Sequence, residues 1–281
     1  MIVDTHVHVV SDDPTTYPLA PAGLPGAWYR EAPHSAEQLL ELMTEARVGR
    51  AVLVQGVGAY SFDNAYVADC AAAHPDRFAG VCCIDANGDD PVGTLTYWVE
   101  ERGIDGVRLF ALSREATSWL SEPRSFPIWQ RAEKLGARVV VTVLQHQLAE
   151  LRAALERFPD ISVSLDHCGF PQLEEHGFEA ARSLLELAAL PNLFLKVSTN
   201  VLDEAEKAGG SEAFVALLAE RFGADRLMWG SDFSQTHDRS YAELVRFGCN
   251  ACARLSPPDR DLVLGGTALR IWPTLRPGIS V

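Results

Sequence analysis

Near its start the chain reads Ile2-Val3-Asp4-Thr5-His6-Val7-His8-Val9-Val10, with two histidines two residues apart in a β-branched run. Strand side chains alternate between faces, so Asp4, His6 and His8 are expected on one side and Val3, Thr5, Val7 and Val9 on the other. Two imidazoles on one face, with backbones roughly 7 Å apart, can converge on a metal ion or an anionic substrate. The alternative is a pair of hydrogen-bonded strand histidines without chemistry. Other apolar runs also end in polar residues: Gln55, Asp85, Arg108, Gln145 and His146, Asp166 and His167, Lys196 and Ser198, Ser231 and Asp232. Such residues are costly at strand ends unless paired, solvated or useful. Among them His6, His8, His167 and Asp232 supply three imidazoles and a carboxylate, donors suited to zinc and similar divalent ions. An ion there would lower the pKa of a bound water and polarise a carbonyl. Asp232 would serve as ligand, as general base, or as both through different oxygens. Taken singly, His167 reads equally as a satisfied core histidine, and Asp232 as a helix cap or buried acceptor.

The elements that must position these residues are strands and helices in alternation. Apolar, β-branched runs recur at 2–10, 50–57, 78–85, 104–110, 138–144, 161–167, 193–198 and 227–232. Their largely continuous apolar character predicts strands buried on both faces, as in a parallel sheet. Between them, segments 36–46, 64–74, 93–102, 128–135, 147–158, 178–190, 212–222 and 241–253 carry helical spacing. Gly49, Pro75, Gly136, Pro159 and Pro191 punctuate the ends. Strand starts about 25 to 50 residues apart match βα units of ~30 residues. Eight of them predict a (β/α)8 TIM barrel of the α/β class, one domain over residues 1–281, with catalysis at the C-terminal ends of the strands. A doubly wound open sheet is the alternative, but no Gly-rich dinucleotide loop follows the first strand. The Pro- and Gly-rich segment 11–33, with Trp28 and Tyr29, reads as a first βα loop long enough to cover a site.

Composition narrows the partners. With 24 Lys and Arg against 38 Asp and Glu, the net charge is −14 and no basic run occurs. That argues against nucleic acid, whose binding needs phosphate neutralisation, and against anionic membrane surfaces. A few local arginines can still serve a small anionic substrate inside a cleft. No signal peptide and no membrane span are visible. The six cysteines are scattered and read as reduced thiols of a cytoplasmic protein. Cys249-Asn-Ala-Cys252 lacks the second pair that a zinc knuckle needs. Oligomeric state stays open, a homo-oligomer included.

With Asp4-Thr-His6-Val-His8 on strand one and Trp229-Gly-Ser-Asp232-Phe on strand eight, the chain resembles the amidohydrolase superfamily. More narrowly it resembles the amidohydrolase-related family that contains sugar lactonases and 2-pyrone-4,6-dicarboxylate lactonase. The matching stretches run in order over nearly the full length: Ala51-Val-Leu-Val-Gln55-Gly, Gly106-Val-Arg108-Leu, Leu165-Asp-His167-Cys-Gly169 and Leu195-Lys196-Val-Ser198. The resemblance implies a distorted barrel and hydrolysis at carbon centres. It also exposes a departure. The superfamily's two-metal pattern ends strand four in a carboxylated lysine or a glutamate, whereas this strand reads Gly106-Val-Arg108-Leu-Phe110. One divalent metal, zinc in kind, or none is therefore expected.

Arg108 ends strand four and Arg114 follows in the loop. Guanidinium groups bind carboxylates bidentately, so the pair is expected to clamp a carboxylated small-molecule substrate. Arginines around the site serve that purpose in the dicarboxylate lactonase that the chain resembles. The alternative is a surface Arg114, with Arg108 paired to a barrel acid such as Asp85. His34, Tyr29 and Trp28 in the first loop and His237 after strand eight are candidates to complete the pocket. His146 reads as a ligand, a substrate contact or a helix-start residue; His167 is the favoured ligand. His74 and His176 receive no role. The expected function is that of a hydrolase, a lactonase opening a small carboxylated cyclic ester. Asp232 would deprotonate water, and His6, His8 and His167 would polarise the carbonyl. The alternatives are a metal-dependent decarboxylase of an aromatic or unsaturated acid, and an inactive barrel used for binding.

Overall fold

The computed structural model describes residues 1–21, 23–114, 119–173 and 177–276. Eight strands form one sheet in chain order: β1 (Ile2–Val7), β2 (Val48–Val54), β3 (Phe78–Cys83), β4 (Gly106–Phe110), β5 (Arg138–Thr142), β6 (Val163–Leu165), β7 (Leu193–Ser198) and β8 (Leu227–Gly230). Every neighbouring pair is parallel. Between β8 and β1 the ladder thins to one bridge, Val7 with Phe233, and to the bond from Asp232 N to His6 O at 2.8 Å. Side-chain bonds stitch the same seam, with Thr5 Oγ1 donating to Trp229 O and Ser231 N donating to Asp4 Oδ1. The architecture is the predicted (β/α)8 barrel.

Two apolar layers hold it. Val107, Val139, Leu165, Leu195 and Trp229 face outward into the sleeve packed against the helices. Val3, Val52, Val81, Val140, Phe194 and Met228 face inward and fill the N-terminal end of the barrel, with Trp272 packed among them. Burial of both faces is why the strands read as continuous apolar runs.

Several expectations need correction. Asp4 does not share a face with His6 and His8. The β1–β2 register shifts between Asp4 and Val7, so an irregularity at Thr5 and His6 resets the alternation. Asp4 is thereby turned outward, where its Oδ2 accepts from Tyr241 on the helix Tyr241–Ala251. The expected helix at 178–190 is broken into short 3-10 and α turns. Two longer elements escaped the sequence reading: the helix Thr199–Ala208 directly after β7, and the helical segment from Pro257 to Ile271 that leads to Trp272. His176 lies outside the described residues.

Candidate active site

Above the apolar plug, the inward positions turn polar. Lys196 on β7 and Arg108 on β4 flank Asp166, which follows β6. Asp166 Oδ1 lies 3.2 Å from Lys196 Nζ and 3.1 Å from His6 Nδ1. Asp166 Oδ2 accepts from Arg108 Nε at 2.8 Å and from Thr142 Oγ1 at 2.7 Å. All of these side chains are buried. Burial opposes ionisation of Asp166, but Lys196, His6 and Arg108 together hold its carboxyl well below the ordinary value. The barrel acid that pairs with Arg108 is thus Asp166; Asp85 is exposed and caps the turn at Asn87.

This network fixes His6. An ionised carboxylate offers no hydrogen, so Nδ1 of His6 donates to Asp166 and Nε2 keeps its lone pair. Burial holds the imidazole well below the usual histidine value, against the pull of Asp166. In His8, Nδ1 donates to the Val54 carbonyl at 2.8 Å, which leaves Nε2 as the acceptor. Both Nε2 atoms face Asp232 Oδ1, at 3.6 Å from His6 and 3.5 Å from His8. His6 Nε2 and Asp232 Oδ1 have no hydrogen-bond partner although both are buried. Acceptors that converge without a donor repel one another unless a cation sits between them. His6, His8 and Asp232 form one cluster of potential ligand atoms within 4.8 Å.

Asp232 is held for this position. It follows β8 with φ +60, a strained setting for a residue other than glycine. Its Oδ2 accepts from Asn200 Nδ2 at 3.1 Å, so Oδ1 is the oxygen that turns to the imidazoles. Gly230 allows the approach: a Cβ there would come within 2.9 Å of the His6 Cβ.

His167 sits at the mouth on a left-handed turn, with φ +53 at His167, +50 at Cys168 and +53 at Phe170. Its Nδ1 lies 2.8 Å from Ser198 Oγ, and that hydroxyl donates to Asn200 Oδ1. Nδ1 of His167 therefore carries the hydrogen, and its Nε2 is left an acceptor like those of His6 and His8. The expected fourth ligand position is not closed in this arrangement, because His167 clusters with His6 and Asp166 rather than with His8 and Asp232. Burial lowers its pKa as well.

Over these groups lies a cavity of about 210 Å³ lined by His8, His167, Arg108, Trp28, Phe110 and Phe170 among others. Arg114 is exposed and does not line it, so the expected two-arginine clamp reduces to Arg108. Tyr29 is buried edge-on against Trp28, outside the lining. The ring of His34 packs 4.6 Å from Phe233. His237 pairs with Glu31 at 3.3 Å. His146 is exposed, bonds the Ser113 carbonyl, and borders a neighbouring groove of about 680 Å³ with Gln145 and Glu179. Sequence reasoning missed Asn200 and Thr142. The Val201, Leu202 and Ala205 spacing before Gly209-Gly210 was the signal for the helix that carries Asn200.

A family model described as Amidohydrolase matches residues 3–274. An L-fucono-1,5-lactonase of Burkholderia ambifaria is 27% identical over 252 residues, covering 86% of each chain. Among solved structures, a putative 2-pyrone-4,6-dicarboxylic acid hydrolase from Pseudomonas putida superposes with a TM-score of 0.77 at 22% identity, covering 97% of both chains. An amidohydrolase from Burkholderia multivorans with bound zinc gives a TM-score of 0.75 at 24% identity, covering 97% of this chain and 99% of the other.

Proposed function

The chain belongs to the amidohydrolase family, and from that premise we propose a lactonase that opens a small carboxylated cyclic ester and holds one divalent ion. Zinc is the ion that two imidazoles and a carboxylate suit. The observation that carries the reading is the convergence of His6 Nε2, His8 Nε2 and Asp232 Oδ1 without a donor, beneath a cavity that holds a buried arginine. The bound ion would supply Lewis-acid polarisation of the ester carbonyl and acidify water. That assignment revises the imidazole roles expected from sequence: their Nε2 atoms are acceptors, so they hold rather than donate.

The remaining steps belong to the side chains. Asp232 takes a proton from the attacking water, whose oxygen bonds to the lactone carbonyl carbon. As an ionised carboxylate Asp232 serves cation binding first and proton acceptance second. His167 Nε2, at the cavity mouth, is a second acceptor for that proton. Arg108 orients the substrate carboxylate. When the tetrahedral carbon collapses, the ring C–O bond breaks, the proton taken up by Asp232 passes to the leaving oxygen, and the new carboxyl group ionises, so an open hydroxy carboxylate departs with net release of one proton.

Full-length protein loaded with Zn(II) is expected to release protons from members of a lactone panel, read with a pH indicator. Asp232→Asn should lower kcat by about 10²–10⁴-fold with an unchanged circular dichroism spectrum. Release of carbon dioxide from aromatic acids, without lactone opening, would instead establish the decarboxylase. Six free cysteines support a cytoplasmic location, and among the described residues no helix is long and apolar enough to cross a membrane. One continuous sheet supports reading 1–281 as one domain.

A further inference from the structure

We propose that the cavity selects a single-ring ligand with one carboxylate on an otherwise apolar ring, and rejects polyhydroxylated lactones and dicarboxylates. As a statement about substrate this rests on the lactonase reading; as a statement about the cavity it does not.

Three observations carry it. The first is the shortage of polar groups left to a ligand. Of the polar residues lining the cavity, Thr142 donates to Asp166, and His8 is committed to Val54 through Nδ1 and to the proposed ion through Nε2. Among the described residues that leaves the terminal nitrogens of Arg108, the Nε2 edge of His167, Gln235 and the indole N–H of Trp28. A lactone bearing several hydroxyls would bury some without partners, and each unpaired group weakens binding by roughly tenfold or more.

The second is the wall itself. Trp28, Val57, Phe110, Leu112 and Phe170 present apolar surface to the cavity. The Trp28 indole is seated against bare backbone, since a Cβ on Gly56 or Gly58 would come within 3.1 Å of its ring. Its ring centroid lies 5.4 Å from that of His8, so a flat ligand ring above the cluster meets a flat wall. At about 210 Å³ the space suits one small ring.

The third is the count of cations. Arg108 is the only Arg or Lys among the described lining residues. Its Nε is bound to Asp166 and Thr142, and its guanidinium lies 5.0 Å from the Phe110 ring centroid. Asp166 and Phe110 fix the plane of the fork, and its terminal nitrogens have no partner among the described residues. Lys196 lies beneath, committed to Asp166. One fork matches one carboxylate; a second carboxylate would be buried against apolar wall at a large cost.

The test combines binding and turnover on the zinc-loaded full chain. By titration calorimetry, benzoate is expected to bind at least tenfold more tightly than either gluconate or phthalate. Arg108→Gln should weaken benzoate by about 10- to 100-fold. Arg108→Lys, which keeps a charge beside Asp166, should fold normally and still lose about tenfold because it lacks the bidentate fork. In turnover, an unsaturated lactone with one carboxylate should exceed glucono-1,5-lactone in kcat/KM by at least tenfold. Leu112→Gln, at the exposed rim, should narrow that ratio. Tighter binding of gluconate or phthalate, or preferred opening of the sugar lactone, overturns the proposal. Benzoate binding without any lactone opening supports the ligand class and defeats the lactonase reading alone.

Discussion

At Asp166 a single carboxylate performs two jobs. It neutralises Lys196 and Arg108 in the barrel interior, and it sets the tautomer of His6. Asp166→Asn should therefore show two separable effects. Two buried cations lose their counter-charge, which costs about 3–5 kcal/mol in urea unfolding. The His6 tautomer is also released, which should weaken zinc by about 10- to 100-fold in a chelator competition. Full zinc affinity in a destabilised variant would show that the His6 contact is incidental. At this scale the sequence was legible where residue type alone declares chemistry: His6, His8, His167 and Asp232 stand where strand-end polarity pointed. Partnership was not legible. Nothing in the order of residues says that Arg108 meets Asp166 rather than Asp85, or that Arg114 stays outside, because barrel closure and loop path decide both.

The irregularity in β1 shows why elements are harder to read than residues. Val3 to Val9 obey a simple alternation on paper, yet the register shift after Asp4 turns that carboxyl outward beneath Tyr241. The cost appears in its titration. Burial raises the Asp4 pKa to about 6, even though bonds from Ser231, His6 and Tyr241 oppose the shift. A carboxyl whose folded pKa lies above its unfolded value binds its proton more tightly when folded. Its ionisation therefore destabilises the fold progressively as pH rises from about 4 to about 6, by up to about 3 kcal/mol. Unfolding free energies of the natural chain and of Asp4→Asn should converge or cross over that window; a constant difference across it would contradict the assignment. Strands buried on both faces were visible as apolar runs. The left-handed turn at His167 through Phe170 was not, since only tertiary context holds non-glycine residues there.

For the whole molecule, the barrel divides into an apolar plug at the N-terminal end and a polar rim at the other. Trp272→Ala should remove about 3–5 kcal/mol of stability while leaving zinc affinity unchanged, because the indole packs with Val3, Val52 and Met228 away from the ligand atoms. Loss of zinc affinity with intact stability would mean that the two ends are coupled. Eightfold repetition made the barrel legible from spacing alone; the helical segment after Pro257 stood outside that rhythm and was missed. The seam between β8 and β1 is where the backbone ladder is thinnest, and the ligand cluster straddles it, with His6 and His8 on one side and Asp232 on the other. An ion there would act as a clasp between the first and last strands, closing a loop that takes in nearly the entire sheet. With His6 and His8 on the first strand and Asp232 after the eighth, the clasp would not close until the last strand had taken its place.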